Sequence, residues 1–365
     1  MAVPTILRFY YCGKGDTILI ETARAGTSAS EWALVDCHLT KSSGSYDRVR
    51  ALIAKRSIKK LKFLCLTHPD RDHYYGMLSL LKEHFYDKGS DSLQIDQFWD
   101  AGVHFSRLAA IAQRMGTEEI RKELEQLYRF LARSSLADKI DHCPMPQGML
   151  SDIDFGEFDI LSLSPKPNRV DRFNQQTFDT ICRAPFRDVR YHKEQSNNLS
   201  VLLALMHKTL PINIVLGGDA TAEAWSEALD VWPHFLKRLA RKESAFAVVK
   251  VSHHGAYGSL YPRLYEHFCT PRETIAVLSV GPGDPNHPHP DVLKVLDHYG
   301  IRHYCTSAPS TGNRCSYPKG PLFGERLPTG SGGASSKPQN TFADIEVRIR
   351  KRGRPRVFRR KCLIP

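Results

Sequence analysis

Between residues 67 and 73 the chain reads Thr-His-Pro-Asp-Arg-Asp-His, and His68, Asp70, Asp72 and His73 carry the imidazole and carboxylate donors that bind divalent cations. The apolar run before them, LKFLCL, reads as a strand, and the segment after Asp70 reads as a helix, with Gly76 small enough to allow close packing. Extended backbone sends His68 and Asp70 to one side. Where the chain turns into a helix, Asp72 and His73 diverge toward a second point. That spacing suits two ions a few ångströms apart, a centre for hydrolytic chemistry.

More donors follow at later strand ends. The apolar run 212–216 closes in Gly217-Gly218-Asp219, the run 245–251 in Ser252-His253-His254-Gly255, and the run 274–280 leads to His287-Pro288-His289-Pro290. Ligands at the carboxyl ends of strands are where α/β folds build sites. Asp36 closes an earlier strand and could orient a ligating histidine from behind. Gly13-Lys14-Gly15-Asp16 suits a tight hairpin turn, and without a Gly-Lys-Ser/Thr ending it is no phosphate-cradling loop.

The elements that must position these groups are legible in outline. Runs 5–12, 17–21 and 32–36 predict an antiparallel meander, 47–60 a basic amphipathic helix, and 77–84 another helix. Residues 105–140 predict a helical hairpin inserted after the donor-rich corner, serving as a lid, a homo-oligomer or protein-partner surface, or a pair packed on the body. A strand at 154–163 precedes a polar stretch to Gln195 with Arg172, Arg183, Arg187, Arg190 and Lys193, read as a long groove-lining loop. Strands are expected at 198–206 and 343–350, a helix at 291–299, and a loop at 306–340.

With 365 residues, 41% hydrophobic and 25% charged, the chain can bury a large core. No apolar run reaches the roughly 18 residues of a membrane span, and the first residues lack the order of a signal peptide, so a soluble cytoplasmic protein with no membrane partner is expected. The nine cysteines form no Cys-x-x-Cys pair and are read as reduced and structural. Of the formal charge of +12, +9 falls between Arg348 and Lys361, leaving +3 elsewhere. Arg348, Arg350, Lys351, Arg352, Arg354, Arg356, Arg359 and Arg360 are therefore candidate phosphate contacts, and nucleic acid, DNA before RNA, is the expected partner. Lys351 to Arg356 matches the core of an AT-hook. The flanking strand patterns instead favour a basic C-terminal hairpin at 342–365, with its turn at 353–355.

Taken together, Gly13 to Asp16, Asp36, His68-x-Asp70-x-Asp72-His73, Ser196-Asn197-Asn198-Leu199-Ser200, Gly218-Asp219, Val251 to Gly255 and His287 to Pro290 resemble the ComEC-like branch of the metallo-β-lactamase superfamily, in order over residues 5–304. The resemblance implies one α/β domain over 1–365, an αββα four-layer sandwich with two divalent ions at one edge. It also implies a hydrolase of phosphodiesters, a soluble relative of the nuclease domain of DNA-uptake channels. Asp219 would bridge the ions, His68 and Asp70 would hold one, and Asp72, His73 and either His253 or His254 the other, the remaining histidine being structural. His289 or His287 would protonate the leaving oxygen or grip the phosphate. Asp16, Asp36, Asn197 and Asn198 would support from behind. Asp70 stands where most members have histidine, and asparagine 197 or 198 takes the place of another. The first ion site is thereby oxygen-rich, which shifts preference from zinc toward manganese or magnesium.

Three functions compete. The first is a dinuclear-metal phosphodiesterase or nuclease with Asp72 in the catalytic centre. The second is a hydrolase of a small ester, lactone or nucleotide, and the third a catalytically weak nucleic-acid-binding or scaffold module. The basic tail favours a polyanion, and the intact donor set favours an enzyme.

Overall fold

The computed structural model describes residues 4–24, 26–86, 93–102, 118–136, 140–183, 196–281, 284, 286–307, 343–349 and 355–361. In chain order the strands are β1 (Thr5–Phe9), β2 (Thr17–Ala23), β3 (Ser30–Cys37), β4 (Lys60–Cys65), β5 (Gln94–Asp100), β6 (Asp141–Pro144), β7 (Phe158–Ser164), β8 (Leu202–His207), β9 (Asn213–Leu216), β10 (Phe246–Lys250), β11 (Ile275–Leu278), β12 (Arg302–Cys305), β13 (Ala343–Ile349) and β14 (Arg356–Lys361). The helices are α1 (Ser45–Lys55), α2 (Arg71–Tyr74), α3 (Met77–Tyr86), α4 (Glu118–Leu136), α5 (Pro167–Arg183), α6 (Ala222–Arg238), α7 (Pro262–His267) and α8 (Pro290–His298).

The strands form two sheets, ordered β14-β13-β1-β2-β3-β4-β5-β6 and β12-β11-β10-β9-β8-β7. In the first, β1, β2 and β3 pair antiparallel and β3 to β6 run parallel. In the second, β7, β8 and β9 pair antiparallel and β9 to β12 run parallel.

Alternation along β8 divides the core. Leu203 and Leu205 join Ile214, Val248 and Val277 in a cluster shared with the first sheet, whereas Leu202, Ala204 and Met206 pack with Trp225 and Trp232 of α6 and with Val292, Leu293 and Leu296 of α8. Phe63 of β4 meets Phe155 edge-on at 5.2 Å, so that face of the first sheet looks toward the second half of the chain. Leu64, pointing the other way, is equally buried, and Val49, Ile53, Leu80, Leu81, Leu127 and Leu131 of α1, α3 and α4 belong to the same core. Parallel strands covered on both faces need a helix layer outside each sheet. The result is the αββα four-layer sandwich.

Several expectations need adjustment. The polar stretch after β7 is not a loop throughout, because residues 167–183 form α5. Its few apolar residues include Val170 and Phe173, three apart on one buried face, and Arg169 ties it to Glu227 of α6 at 2.8 Å. Arg172 lies on α5, while Arg187, Arg190 and Lys193 lie outside the described residues. Of residues 105–140, where a helical hairpin was expected, 118–136 form α4. Leu124, Leu127, Tyr128, Phe130 and Leu131 are buried within this chain, and 105–117 lies outside the described residues.

The tail does form paired strands, with Arg348 opposite Arg356, and extends the edge of the first sheet beyond β1. Residues 350–354, with Arg350, Lys351, Arg352 and Arg354 and the expected turn, lie outside the described residues, as does 308–342. Cys12, Cys37, Cys65, Cys143 and Cys269 are free thiols, but Cys305 is disulfide-bonded, which corrects the fully reduced reading. Spacing along the chain did not reveal that thiol's spatial neighbour. No helix among the described residues is long and apolar enough to cross a membrane.

Candidate metal centre

The predicted donors converge where the parallel strands of both sheets end. β4 runs out into Thr67 and His68, and α2 then presents Asp72 and His73. From the second sheet, Gly218-Asp219 follows β9 and Ser252 to Gly255 follows β10. The close approach of these corners is enforced by glycine. A Cβ on Gly15 would lie 2.5 Å from the Asp72 carbonyl oxygen, and one on Gly218 would lie 2.9 Å from Thr67 Cβ. Asp36, His253 and His254 all have left-handed backbone, with φ of 54°, 49° and 54°. Such conformations cost about 1–3 kcal/mol each and cluster where a site over-determines them.

Asp219 is at the middle. Its Oδ1 faces His73 Nε2 at 3.3 Å, and its Oδ2 faces His68 Nε2 at 3.8 Å and His253 Nε2 at 3.7 Å. Asp70 Oδ2 lies 3.7 Å from His68 Nε2, and Asp72 Oδ2 lies 3.4 Å from His254 Nε2. One donor atom each from Asp72, His73, Asp219 and His254 fits within 4.8 Å. His254 is thus in the tight group of donors, and His253 approaches Asp219 Oδ2. Their consecutive left-handed backbone means that the two side chains do not alternate as strand residues do.

The hydrogen bonds fix which imidazole nitrogens carry lone pairs. His73 Nδ1–H donates to Asp36 Oδ2 at 2.7 Å, and His254 Nδ1–H donates to the Ser279 carbonyl at 2.7 Å. His68 Nδ1–H donates to Thr67 Oγ1 at 3.2 Å, and that hydroxyl donates to Asp36 in turn. Nε2 of all three is left as an acceptor aimed at carboxylates, an arrangement that only a proton or a metal makes favourable. The Asn197 carboxamide nitrogen stands 3.2 Å from His253 Nδ1, and its buried oxygen has no hydrogen-bond partner among the described residues. Turned end for end, the amide gives that oxygen to Nδ1–H and frees Nε2 to ligate.

His68 Nε2, His73 Nε2 and both Asp219 oxygens are likewise buried with no hydrogen-bond partner among the described residues. Two donors, each about 2.1 Å from a tetrahedral ion, lie about 3.4 Å apart, close to the 3.3–3.8 Å gaps here. The residues fit divalent ions.

The electrostatics agree. Burial opposes ionisation of Asp219, yet His73 and His254 hold its pKa well below the usual carboxylate range. Burial alone would push His73 down, but Asp36 and Asp219 hold it well above the ordinary imidazole value, and Asp219 and Asp72 raise His254 similarly. Among the described residues, the site holds more carboxylate than the buried cation Lys250 can balance. That ammonium is buried, paired with Asp16, and donates to the Gly218 carbonyl at 3.2 Å.

Lys250 was missed by sequence reasoning, although a lysine inside the run Val248-Val249-Lys250-Val251 is the kind of signal that marks a buried ion pair. Ser196, whose hydroxyl donates to Asp70 Oδ1 at 2.8 Å, and Asp284, whose Oδ2 lies 3.2 Å from His287 Nδ1, were also assigned no role. Asn198 accepts from the hydroxyl of Thr221, the N-cap of α6, so it supports that helix start. The ring of His287 lies 5.6 Å from that of His253, at the rim. His289 caps α8, accepting from Asp291 N–H at 3.2 Å. In the tail, Arg348 pairs with Glu346 and lies 4.4 Å from the Phe358 ring, while Arg356 is exposed. The side chains of Arg359 and Arg360 lie outside the described residues.

No family model matches the sequence, and no curated protein matches it. Among solved structures the chain is similar to unliganded yeast PDE1, at 11% identity and TM-score 0.46 over 84% of this chain and 98% of that one. It is also similar to a diphosphatase of the PhnP family, at 7% identity and TM-score 0.34 over 83% and 86%. A long-form RNase Z from yeast matches at 10% identity and TM-score 0.38, over 78% of this chain and 38% of that one.

Proposed function

We propose that this chain is a metal-dependent phosphodiesterase of the ComEC-like type, cleaving nucleic acid, with DNA preferred to RNA. The observation that carries the hydrolase reading is the set of partnerless buried atoms on His68, His73 and Asp219. Asp219 would be shared between two cations, with His68, Asp70 and His253 on one side and Asp72, His73 and His254 on the other. Manganese and zinc suit this mixed nitrogen and oxygen set, and magnesium is the third fit. Bound cations supply Lewis acidity, lowering the pKa of a neighbouring water and neutralising charge on phosphoryl oxygens.

The chain's own groups do the rest. Asp36 and Thr67 keep His73 and His68 in the ligating tautomer, and Ser279 does so for His254. His287, whose Nδ1 lies 3.2 Å from Asp284 Oδ2 at the rim, would pass a proton to the leaving oxygen. Arg356 at the edge of the first sheet would hold phosphates without reading sequence.

The test is elemental analysis of the purified protein together with cleavage of single- and double-stranded DNA and RNA in Mn²⁺, Zn²⁺ or Mg²⁺, beside Asp72→Ala. Bound metal and cleavage lost in the variant are expected. Wild type as inert as Asp72→Ala, while DNA still shifts in a gel, would leave only a nucleic-acid-binding module.

A further inference from the structure

Tyr257 is the most exposed large apolar side chain among the described residues, 63% exposed. A single exposed tyrosine is ordinary. Its position is less so, because it stands three residues beyond His254, on the short helical turn Tyr257–Ser259 that continues the donor-bearing corner. Ala256 N–H donates to the His253 carbonyl at 2.8 Å, and Leu260 N–H donates to the Tyr257 carbonyl at 3.0 Å. The turn thereby follows directly on a backbone bond to His253.

A second ring is fixed to the same corner. His289 N–H donates to the Gly255 carbonyl at 2.8 Å, and the imidazole lies 5.0 Å from the Tyr257 ring, tilted by 53°. Capping of α8 through Nδ1 holds that imidazole in place. Tyr257 is thus flanked, at a tilt, by a side chain with its own anchor, and most of it is open to solvent beside the His253-His254 corner.

A phosphodiester held at that centre carries its flanking groups to the rim. In nucleic acid the flat, π-faced group flanking the phosphate is the base, and aromatic side chains accept any base because each has a π-face. We propose that Tyr257, flanked by His289, is a stacking platform for the nucleobase next to the scissile phosphate. The inference rests on the phosphodiesterase reading and adds a base-bearing substrate with little sequence preference.

The experiment uses the metal-loaded full chain and single-stranded oligonucleotides in which an abasic unit steps across the mapped cut site. The expected result is one position, flanking the cut, at which removing the base lowers kcat/KM by about 10- to 100-fold. In Tyr257→Ala the ratio of intact to abasic kcat/KM falls toward one, and Tyr257→Trp restores it. In parallel, 2-aminopurine at that position in a cleavage-resistant phosphorothioate strand is quenched on binding wild type but not Tyr257→Ala. Cleavage indifferent to the base at every position, or a ratio and quench unchanged in Tyr257→Ala, overturns the platform and leaves the hydrolase standing. If no strand is cut, the hydrolase reading falls, and 2-aminopurine stepped along the strand then decides the platform alone: no Tyr257-dependent quench overturns it.

Discussion

The two halves of the chain repeat one plan, three antiparallel strands leading into a parallel run, but they furnish the centre differently. In the first half a single corner after β4 provides His68, Asp70, Asp72 and His73, and side chains of that half, Asp36 and Thr67, orient the imidazoles. In the second half the donors come from two corners, Asp219 after β9 and His253-His254 after β10. Their support comes from the Ser279 carbonyl, from Asn197 and from strained backbone. The first half therefore resembles a preassembled donor set, whereas the second half provides the shared carboxylate and depends on being docked correctly. Lys250 of the second sheet, paired with Asp16 of the first, provides that docking.

The sharpest way to break the comparison is at Asp219, the donor both ends share. Asp219→Asn keeps the shape and removes the charge, so metal content should fall toward one ion or none, and turnover should drop on the order of 10³-fold, the several kcal/mol that a metal contributes to the transition state. Two ions retained with near-normal turnover would show that the halves bind metal independently.

Next is the docking pair. Both side chains are fully buried, so Lys250→Met leaves Asp16 without its cation and should cost about 3–5 kcal/mol in denaturant unfolding. The double variant with Asp16→Asn should cost less than the sum of the two, because no lone charge is then buried. Additive losses would mean that the pair does not couple the sheets.

How much of this was legible follows the same division. The first half's corner is local in sequence, so six residues displayed four donors and their two directions. The meander and the later strands were likewise visible from apolar runs. Both histidines of the second half were visible as residues but not as a matched pair, because their left-handed backbone breaks the alternation that predicts side-chain direction. Lys250 was hidden for a different reason, since its partner lies 234 residues earlier. α5 was hidden by composition, its polar majority reading as loop.

The halves should also differ in how they lose support. Asp36→Asn removes the charge and one of the two acceptor oxygens that orient His73 and, through Thr67, His68. Metal affinity should fall about 10- to 100-fold with little change in fold, as for other groups that orient metal-bound histidines. Asn197→Ala removes the contact to His253 and should cost less. Competition with a chelating dye measures both, and equal losses would contradict the asymmetry.

The smallest effect is on pH dependence in metal-stripped protein. His73 and His254 are held above the ordinary imidazole value of 6.5, so between 6.5 and their folded pKa values the native state binds more protons than the unfolded chain. Their contribution is fully present below about pH 6.5 and is lost as pH rises through the folded values, by at most about 1.4 kcal/mol per pH unit for each group. Asp219 has the opposite sign: its folded pKa is depressed, so its contribution is lost only as pH falls below the carboxylate range. Metal-free protein should thus melt at progressively lower temperature from pH 6.5 upward. Metal-loaded protein should not, because the cations take the place of those protons and their affinity rises as the imidazoles deprotonate. Melting curves for the two forms across pH 6 to 9 test this, and parallel curves would mean that protons and metal do not compete for the same nitrogens.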